Sequence, residues 1–518
     1  MRTVRAIDGA LDAWRDPRAE VRVAVEHWYW HEPVGRQFIE RPKDVRMVWH
    51  YLRRVGPVAV WRKIRSRLDE RRRNDKVVGI GVGCLLDVPA DVGLVPGQQV
   101  VFLAPNHSTA WPNISLDFRF VVPLEPIMAS RAMDGRGKVP DEVRMYAGWS
   151  PYSGRSLDHG ALRRVLQTFA SDVAGHPGAA VSNQTTCTAR HRRTERREVP
   201  TRADARPTAV VFGLGNYAKT QVVPVVRRHL HLVAIHEIDP DQLDSASVVG
   251  VTLDTSPWPR PSERYDAWFI AGFHHTHGPL AIQALGSGAY TVVEKPVVTN
   301  REQFAKLHDA LTRSGGRRLF ACFHKRYSQL HQWAMRDLEV APGSGKPIDM
   351  HCLVYEIPLP ALHWYNWPTS GSRLISNGCH WLDYFLYVND FTPVRTLAVL
   401  PLRGRDLLVT VRLENDAQLT MSLTDTGSQR LGVRDVIELR AGDVTVRVTD
   451  ATYYDAESTR RALPKHRVNP MQAYTRMYES ICQRIVAGES GDIVDSLRST
   501  TLMLDLEDEL KRLGMTTT

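Results

Sequence analysis

The chain has 518 residues, of which 43% are hydrophobic and 24% charged, with a formal net charge of +10 and a pI near 9.3. That apolar share and length exclude an intrinsically disordered protein and a small disulfide scaffold, and predict two to four domains with ample core. The six cysteines include no C-x-x-C pair and no stretch is apolar enough to span a bilayer, so free thiols in a soluble, cytoplasmic protein are expected, without metal or membrane. The basic balance speaks to solubility and non-specific attraction. No helix-turn-helix, zinc-finger or aromatic RNA-reading pattern accompanies it, so no specific nucleic-acid partner is expected.

From the N-terminus, residues 41–73 read as basic helices. Asn74 to Val88 and Gly97 to Leu103 follow as β-rich runs between glycine and proline turns, a pattern suited to a small barrel. Cys84 and His107 are isolated and do not make a tetrahedral metal site. Residues 185–207 are arginine-rich and nearly devoid of apolar side chains, which marks a linker after an N-terminal module over 1–184.

A short β-branched run, Thr208 to Phe212, then leads into Gly213-Leu214-Gly215-Asn216-Tyr217-Ala218 and a helix from Lys219 to His229 in which Pro224 is the awkward residue. A glycine turn between a buried strand and a helix fits dinucleotide binding. Gly213 allows the tight turn, Gly215 lets the backbone approach a pyrophosphate, Ala218 permits close helix packing, and Asn216 and Tyr217 line the same turn. The alternative, a strand-to-helix loop with no ligand, stays open. A second strand, His231 to Ile235, ends near Glu237, roughly twenty residues beyond the turn, where a carboxylate accepts from the adenosine ribose hydroxyls and repels a 2′-phosphate. NAD is therefore favoured over NADP.

Ala267 to Gly272 is a third strand, with Phe273 to His277 as the loop at its carboxyl end and a helix over residues 278–288. Tyr290 to Val293 is a fourth strand, ending at Glu294-Lys295-Pro296. Desolvation beside a cofactor lowers a lysine's pKa toward neutrality and suits it to acid/base work, although most strand-end lysines are merely solvated. Leu362 to Pro368, including Trp364, offers aromatic surface for a sugar face or for ordinary packing. Arg373 to Asp383 then places Asn377, His380 and Asp383 at helical steps on one side. His380 can reach a substrate hydroxyl, with Asp383 fixing its tautomer, or is a satisfied core histidine. Beyond this, Ile348 to Ile357, Arg395 to Leu402, Leu407 to Leu413, Gln418 to Leu423 and Asp435 to Val448 read as strands of a broad antiparallel sheet. Pro470 to Ala487 and Asp495 to Leu513 read as helices.

From Thr208 onward these residues resemble the glucose-fructose oxidoreductase and inositol dehydrogenase (Gfo/Idh/MocA) family. The resemblance rests on the glycine turn, the Glu294-Lys295-Pro296 signature, the strand Ala321 to Tyr327 and the helix containing Cys379-His380. It implies a Rossmann doubly wound parallel sheet (208–330) followed by an α+β domain with a large, mostly antiparallel sheet (331–518) that carries substrate residues and mediates homo-oligomerisation. It also implies Lys295 as the catalytic acid/base with His380 beside the substrate. His277, Glu294, Lys295 and Pro296 fall at the cofactor, and Lys325, Arg373, Asn377 and Asp383 on the substrate side. Asn377 stands where the family carries an acidic residue, so Lys295 and His380 take more of the proton relay. The residues before the linker resemble the GroES-like lobe of medium-chain dehydrogenases, as found in bacterial bi-domain oxidoreductases, but without a second nucleotide turn. The expected reaction is hydride transfer between nicotinamide and a sugar, nucleotide-sugar or cyclitol carbon. The alternatives are an imine or C=C reductase, and a cofactor-binding but redox-silent protein.

Overall fold

The computed structural model describes residues 20–33, 76–88, 92–108, 113–124, 162–168, 206–237, 250–254, 263–357, 370–403, 405–426 and 433–514, with a few isolated positions between them. The basic helices, most of the 185–207 linker and Trp364 lie outside the described residues. The chain divides into two compact units, one of residues 1–39, 67–203 and 235–260, the other of residues 40–66, 204–234 and 261–518.

The first unit holds a six-stranded sheet in the order β1-β5-β2-β3-β4-β6. These strands are Val4–Arg5, Asn113–Asp117, Glu20–Pro33, Lys76–Asp87, Gln99–Ser108 and Val121–Pro123. Its pairs are antiparallel except β1·β5. Val21, Val23, Leu85, Val100, Phe102 and Ile114 bury themselves on one face, and Trp28 meets Phe102 edge-on. The two β-rich runs expected here are thus strands β3 and β4.

A second six-stranded sheet has the order β12-β11-β10-β7-β8-β9. Its strands are Thr208–Phe212 (β7), His231–His236 (β8), Thr252–Asp254 (β9), Ala267–Ile270 (β10), Tyr290–Glu294 (β11) and Leu319–Cys322 (β12). The pairs β7·β10, β10·β11 and β11·β12 are parallel, and β10 and β12 are buried along their whole length, as expected of apolar runs covered on both faces. Strand order reverses between β7 and β10, the switch point at which open α/β sheets take ligands.

Two helices depart from the sequence reading. After β7 the backbone winds as a π-helix over Ala218–Val222 before α1, Val223–His229, begins with Pro224 in its first turn. Proline lacks an N–H and crowds the carbonyl four residues back, and a widened preceding turn accommodates both. Phe273 to His277 is not a loop. Phe273 caps α2, His274–Gly286, which also contains Pro279. The carbonyl that Pro279 cannot bond, that of His275, accepts from the side-chain amide of Gln303 at 3.0 Å.

The remaining elements build an eight-stranded sheet, β14-β15-β16-β13-β17-β18-β19-β20. Its strands are Asp349–Tyr355 (β13), Val394–Pro401 (β14), Leu407–Leu413 (β15), Gln418–Thr424 (β16), Arg434–Ala441 (β17), Val444–Thr449 (β18), Tyr453–Ser458 (β19) and His466–Arg467 (β20). Its pairs are antiparallel except β13·β16. The run expected as one strand over Asp435 to Val448 is a hairpin, turned at Gly442 with φ +61, a conformation glycine adopts without steric cost. Helices α3 (Arg301–Arg313), α4 (Gln329–Asp337), α5 (Cys379–Val388), α6 (Met471–Val486) and α7 (Ile493–Arg512) complete the unit. The chain end returns to the nucleotide-type sheet. The N–H groups of Gly491 and Asp492 donate to the carbonyls of Arg317 and Leu319, and Arg301 of α3 pairs with Asp505 and Asp508 of α7. Among the described residues no helix is long and apolar enough to cross a membrane, and no group of three His, Cys, Asp or Glu is placed to hold a metal. Cys322, Cys352, Cys379 and Cys482 are buried thiols.

Candidate active site

Strand β7 delivers the glycine turn to the switch point. Gly213 has φ +92, and a methyl built on it would lie 2.5 Å from Gly272 Cα and 2.6 Å from Ala271 O, at the end of β10. No side chain fits there, so the two strand ends meet backbone to backbone. Gly215 is the opposite case. It is exposed, and an added Cβ would meet nothing within 4 Å. The space above Gly215 is open at the start of a helical segment, where unpaired N–H groups gather. Ala218 is buried against the sheet. Glu237 directly follows β8, half-buried, and its N–H donates to the Asp254 carbonyl.

Strand β11 ends in Glu294, followed by a cis Lys295-Pro296 peptide bond. The Glu294 carboxyl is buried, and its Oε1 accepts from the hydroxyl of Tyr217 at 2.7 Å and from that of Tyr478. Burial pushes its pKa up, against the opposing pull of the two tyrosines and Lys295. Lys295 Nζ donates to the main-chain carbonyl of Ser376 at 3.0 Å. Burial alone would lower its pKa, but Tyr365, Cys379, Glu294 and Glu356 outweigh that and hold it above the ordinary lysine value. In this structure the net direction is upward and Lys295 is an ammonium, whereas the expected fall concerned a lysine desolvated beside a cofactor.

His277 is fully enclosed. Its Nδ1 faces the Pro296 carbonyl at 2.7 Å and its Nε2 the Gly272 carbonyl at 3.2 Å. Burial lowers its pKa to about 4 despite these acceptors. A neutral ring has one N–H, and the shorter contact assigns it to Nδ1. Through that bond His277 ties the lysine loop to α2, while its Nε2 lies against the Gly272 carbonyl without donating to it.

Residues 374–378 form a π-helical turn that passes into α5 at Cys379. His380 lies at the start of α5, with a buried Nδ1 that has no hydrogen-bond partner among the described residues. Its pKa is held well below the ordinary value, first by burial, then by Lys295, His324 and Lys325, so the ring is neutral at physiological pH. Asp383 does not orient it. Both Asp383 oxygens are taken, Oδ2 by Arg326 Nε at 2.9 Å and Oδ1 by Arg326 and Ser499. The aspartate is 0% exposed, so its expected place beside substrate or histidine is corrected to a core ion pair. Asn377 donates to Glu356 Oε1 at 2.9 Å, and Arg373 bonds the other oxygen of the same carboxylate at 2.7 Å. Glu356, just after β13, thus joins Asn377 and Arg373 through one carboxylate. Lys325 Nζ meets Asp435 at 2.6 Å, and Trp381 donates to the same oxygen.

Three residues that sequence reasoning did not single out join the site. Tyr474 and Tyr478, one turn apart on α6, carry the loop signature from behind. Tyr478 bonds Glu294, while Tyr474 stacks on His324 at 4.0 Å, and His324 stands edge-on to His380 at 4.8 Å. The alternation of α6 announced a buried face but not its partners. A cavity of about 40 Å³, room for two or three waters, opens beside His324, Lys325, His331, Tyr384 and Gln472.

Comparison with known proteins agrees with this geometry. A family model described as "Oxidoreductase family, NAD-binding Rossmann fold" (GFO_IDH_MocA) matches residues 208–321. The chain is 26% identical over 204 residues to inositol 2-dehydrogenase 3 of Saccharopolyspora erythraea, a match covering 38% of this chain and 56% of that protein. Among solved structures, a dehydrogenase from Chromobacterium violaceum superposes with a TM-score of 0.51 at 15% identity, covering 60% of this chain and 96% of that one. The WlbA dehydrogenase of Bordetella pertussis, in complex with NADH and UDP-GlcNAcA, gives 0.50 at 18%, covering 60% and 98%. These two likenesses speak for the fold. Residues 208–321 of this chain thus match the NAD-binding Rossmann fold of that oxidoreductase family's model.

Proposed function

We propose that the protein is an NAD(P)-dependent dehydrogenase whose substrate is a sugar, nucleotide sugar or cyclitol bearing an alcohol or ketone. The observation that carries this reading is the convergence on one spot of an ammonium and a neutral imidazole, Lys295 and His380, at the carboxyl end of β11. A bound nicotinamide supplies the hydride exchange. The Gly213 to Ala218 turn receives the pyrophosphate, with space above Gly215 for it. Lys295 holds a proton for the substrate oxygen, and His380, neutral and one partner short, accepts a hydroxyl proton or donates to the same oxygen. Lys325, Arg373 and Asn377, with Trp364, are proposed on the substrate side. The spacing of Glu237 from the turn supports NAD over NADP. The cyclitol and nucleotide-sugar classes are taken from the activities and ligands of the relatives named above. The N-terminal sheet is read as a GroES-like module with no assigned activity, and the chain as a homo-oligomer.

The test is a titration with NADH and NADPH, following energy transfer from the 13 tryptophans. Saturable NADH binding that weakens in Glu237→Ala, followed by turnover on a sugar and cyclitol panel that Lys295→Ala abolishes, is expected. Failure of both nucleotides to bind at millimolar concentration overturns the reading.

A further inference from the structure

Glu294 and Lys295 are consecutive, yet their side chains lead in opposite directions. The lysine reaches the Ser376 carbonyl, and the carboxyl reaches back to a pair of phenols. Tyr217 comes from the glycine turn and Tyr478 from α6, and both donate to the same oxygen of Glu294, their own oxygens 3.4 Å apart. Tyr478 is 1% and Glu294 8% exposed, and Tyr217 is half-buried. A phenol buried with no acceptor would leave its O–H unsatisfied at appreciable cost, and a buried carboxylate needs donors to remain charged. The three groups therefore satisfy one another and join three elements that are far apart in sequence.

We propose that Tyr478 and Tyr217 are positioning residues of the reaction site, which act through Glu294 to fix the place and charge of Lys295. This rests on the assignment of Lys295 as acid/base. Each phenol that donates to Glu294 favours its carboxylate form, and that carboxylate favours the ammonium form of Lys295. The other groups that bear on the ammonium are His274 and His277 from α2, Cys379 and His380 from α5, His324, Glu356 and Tyr365. They are common to every variant below.

The sign follows from the chain of bonds. Tyr478→Phe keeps the ring and removes one donor, so Glu294 is protonated more readily, the ammonium loses part of its counter-charge, and Lys295 gives up its proton at lower pH. The experiment measures the rate at which trinitrobenzenesulfonate labels Lys295 across pH 7 to 11, located by peptide mass spectrometry, with exposed Lys306 as the internal standard. No nucleotide or substrate is needed, so the outcome is separate from the titration that tests the dehydrogenase reading. Tyr478→Phe is expected to move the Lys295 midpoint down by about half to one pH unit, with Lys306 unmoved. Glu294→Gln is expected to move it at least as far, and Tyr478→Phe added to Glu294→Gln to move it no further. Equal labelling in all forms, or none in any, overturns the proposal. So does a Tyr478→Phe shift that persists on the Glu294→Gln background, because the phenol would then act by packing alone.

Discussion

Lys295 donates its ammonium to the carbonyl of Ser376, 81 residues further along the chain, at 3.0 Å. The bond clamps the lysine loop of the nucleotide-type sheet to the π-helical turn that precedes His380. It holds the amine where its charge bears on the buried, neutral ring of His380.

Replacement of Lys295 should therefore separate chemistry from binding. Lys295→Ala is expected to lower kcat by about 10² to 10⁴-fold, the range for loss of a positioned acid/base, while leaving NADH affinity within about threefold. Steady-state kinetics with the substrate found in the panel, beside a nucleotide titration, checks both halves.

The two glycines of the turn should fail differently. Gly213→Ala places a methyl 2.5 Å from Gly272 Cα at φ +92, and is expected to destabilise the protein by about 3 kcal/mol or more. Gly215→Ala meets open space. It should unfold at the wild-type urea midpoint yet bind NADH about tenfold more weakly, because the methyl fills that space.

The Arg326–Asp383 pair is a matter of stability and not of turnover. The side chains are 6% and 0% exposed, so Asp383→Ala strands a buried guanidinium and should cost about 3–5 kcal/mol. Arg326→Met combined with Asp383→Leu should recover most of the loss in urea unfolding.

His277 should make stability depend on acid. Its folded-state pKa of about 4 lies below the ordinary 6.5, so the unfolded chain binds the proton first as pH falls. Stability from this residue is whole above about pH 6.5 and drains away down to about pH 4, by up to roughly 3 kcal/mol. Unfolding free energies of wild type and His277→Gln at pH 7 and pH 5 should differ most in their slope, the variant being flatter.

What the sequence discloses and what it hides follow from the range of the signals. The run Thr208 to Phe212, the glycine turn and Glu294-Lys295-Pro296 are local patterns, and the structure places strands, turn and lysine where those patterns put them. Alternation in Leu407 to Leu413 and periodicity in the last two helices likewise report burial. Burial does not name a partner. Tyr478 lies 184 residues from Glu294, and nothing in either neighbourhood marks the pair. The same holds for Glu356, whose carboxylate binds both Asn377 and Arg373. Phe273 to His277 was legible as the segment at the carboxyl end of β10 but not as helix, because Pro279 reads as a breaker until Gln303 is seen bonding the carbonyl it releases.

The pairing of Gly491 and Asp492 with Arg317 and Leu319 bears on how the polypeptide is made. During synthesis the outer strand of the Rossmann sheet, β12, emerges some 170 residues before the segment that covers its edge. A ribosome-bound intermediate would display that strand bare for the whole interval, and exposed strand edges invite pairing with other chains. Completion of that sheet edge thus waits on Gly491 and Asp492, and recombinant yields should depend on this late segment far more than its distance from the reaction centre would suggest.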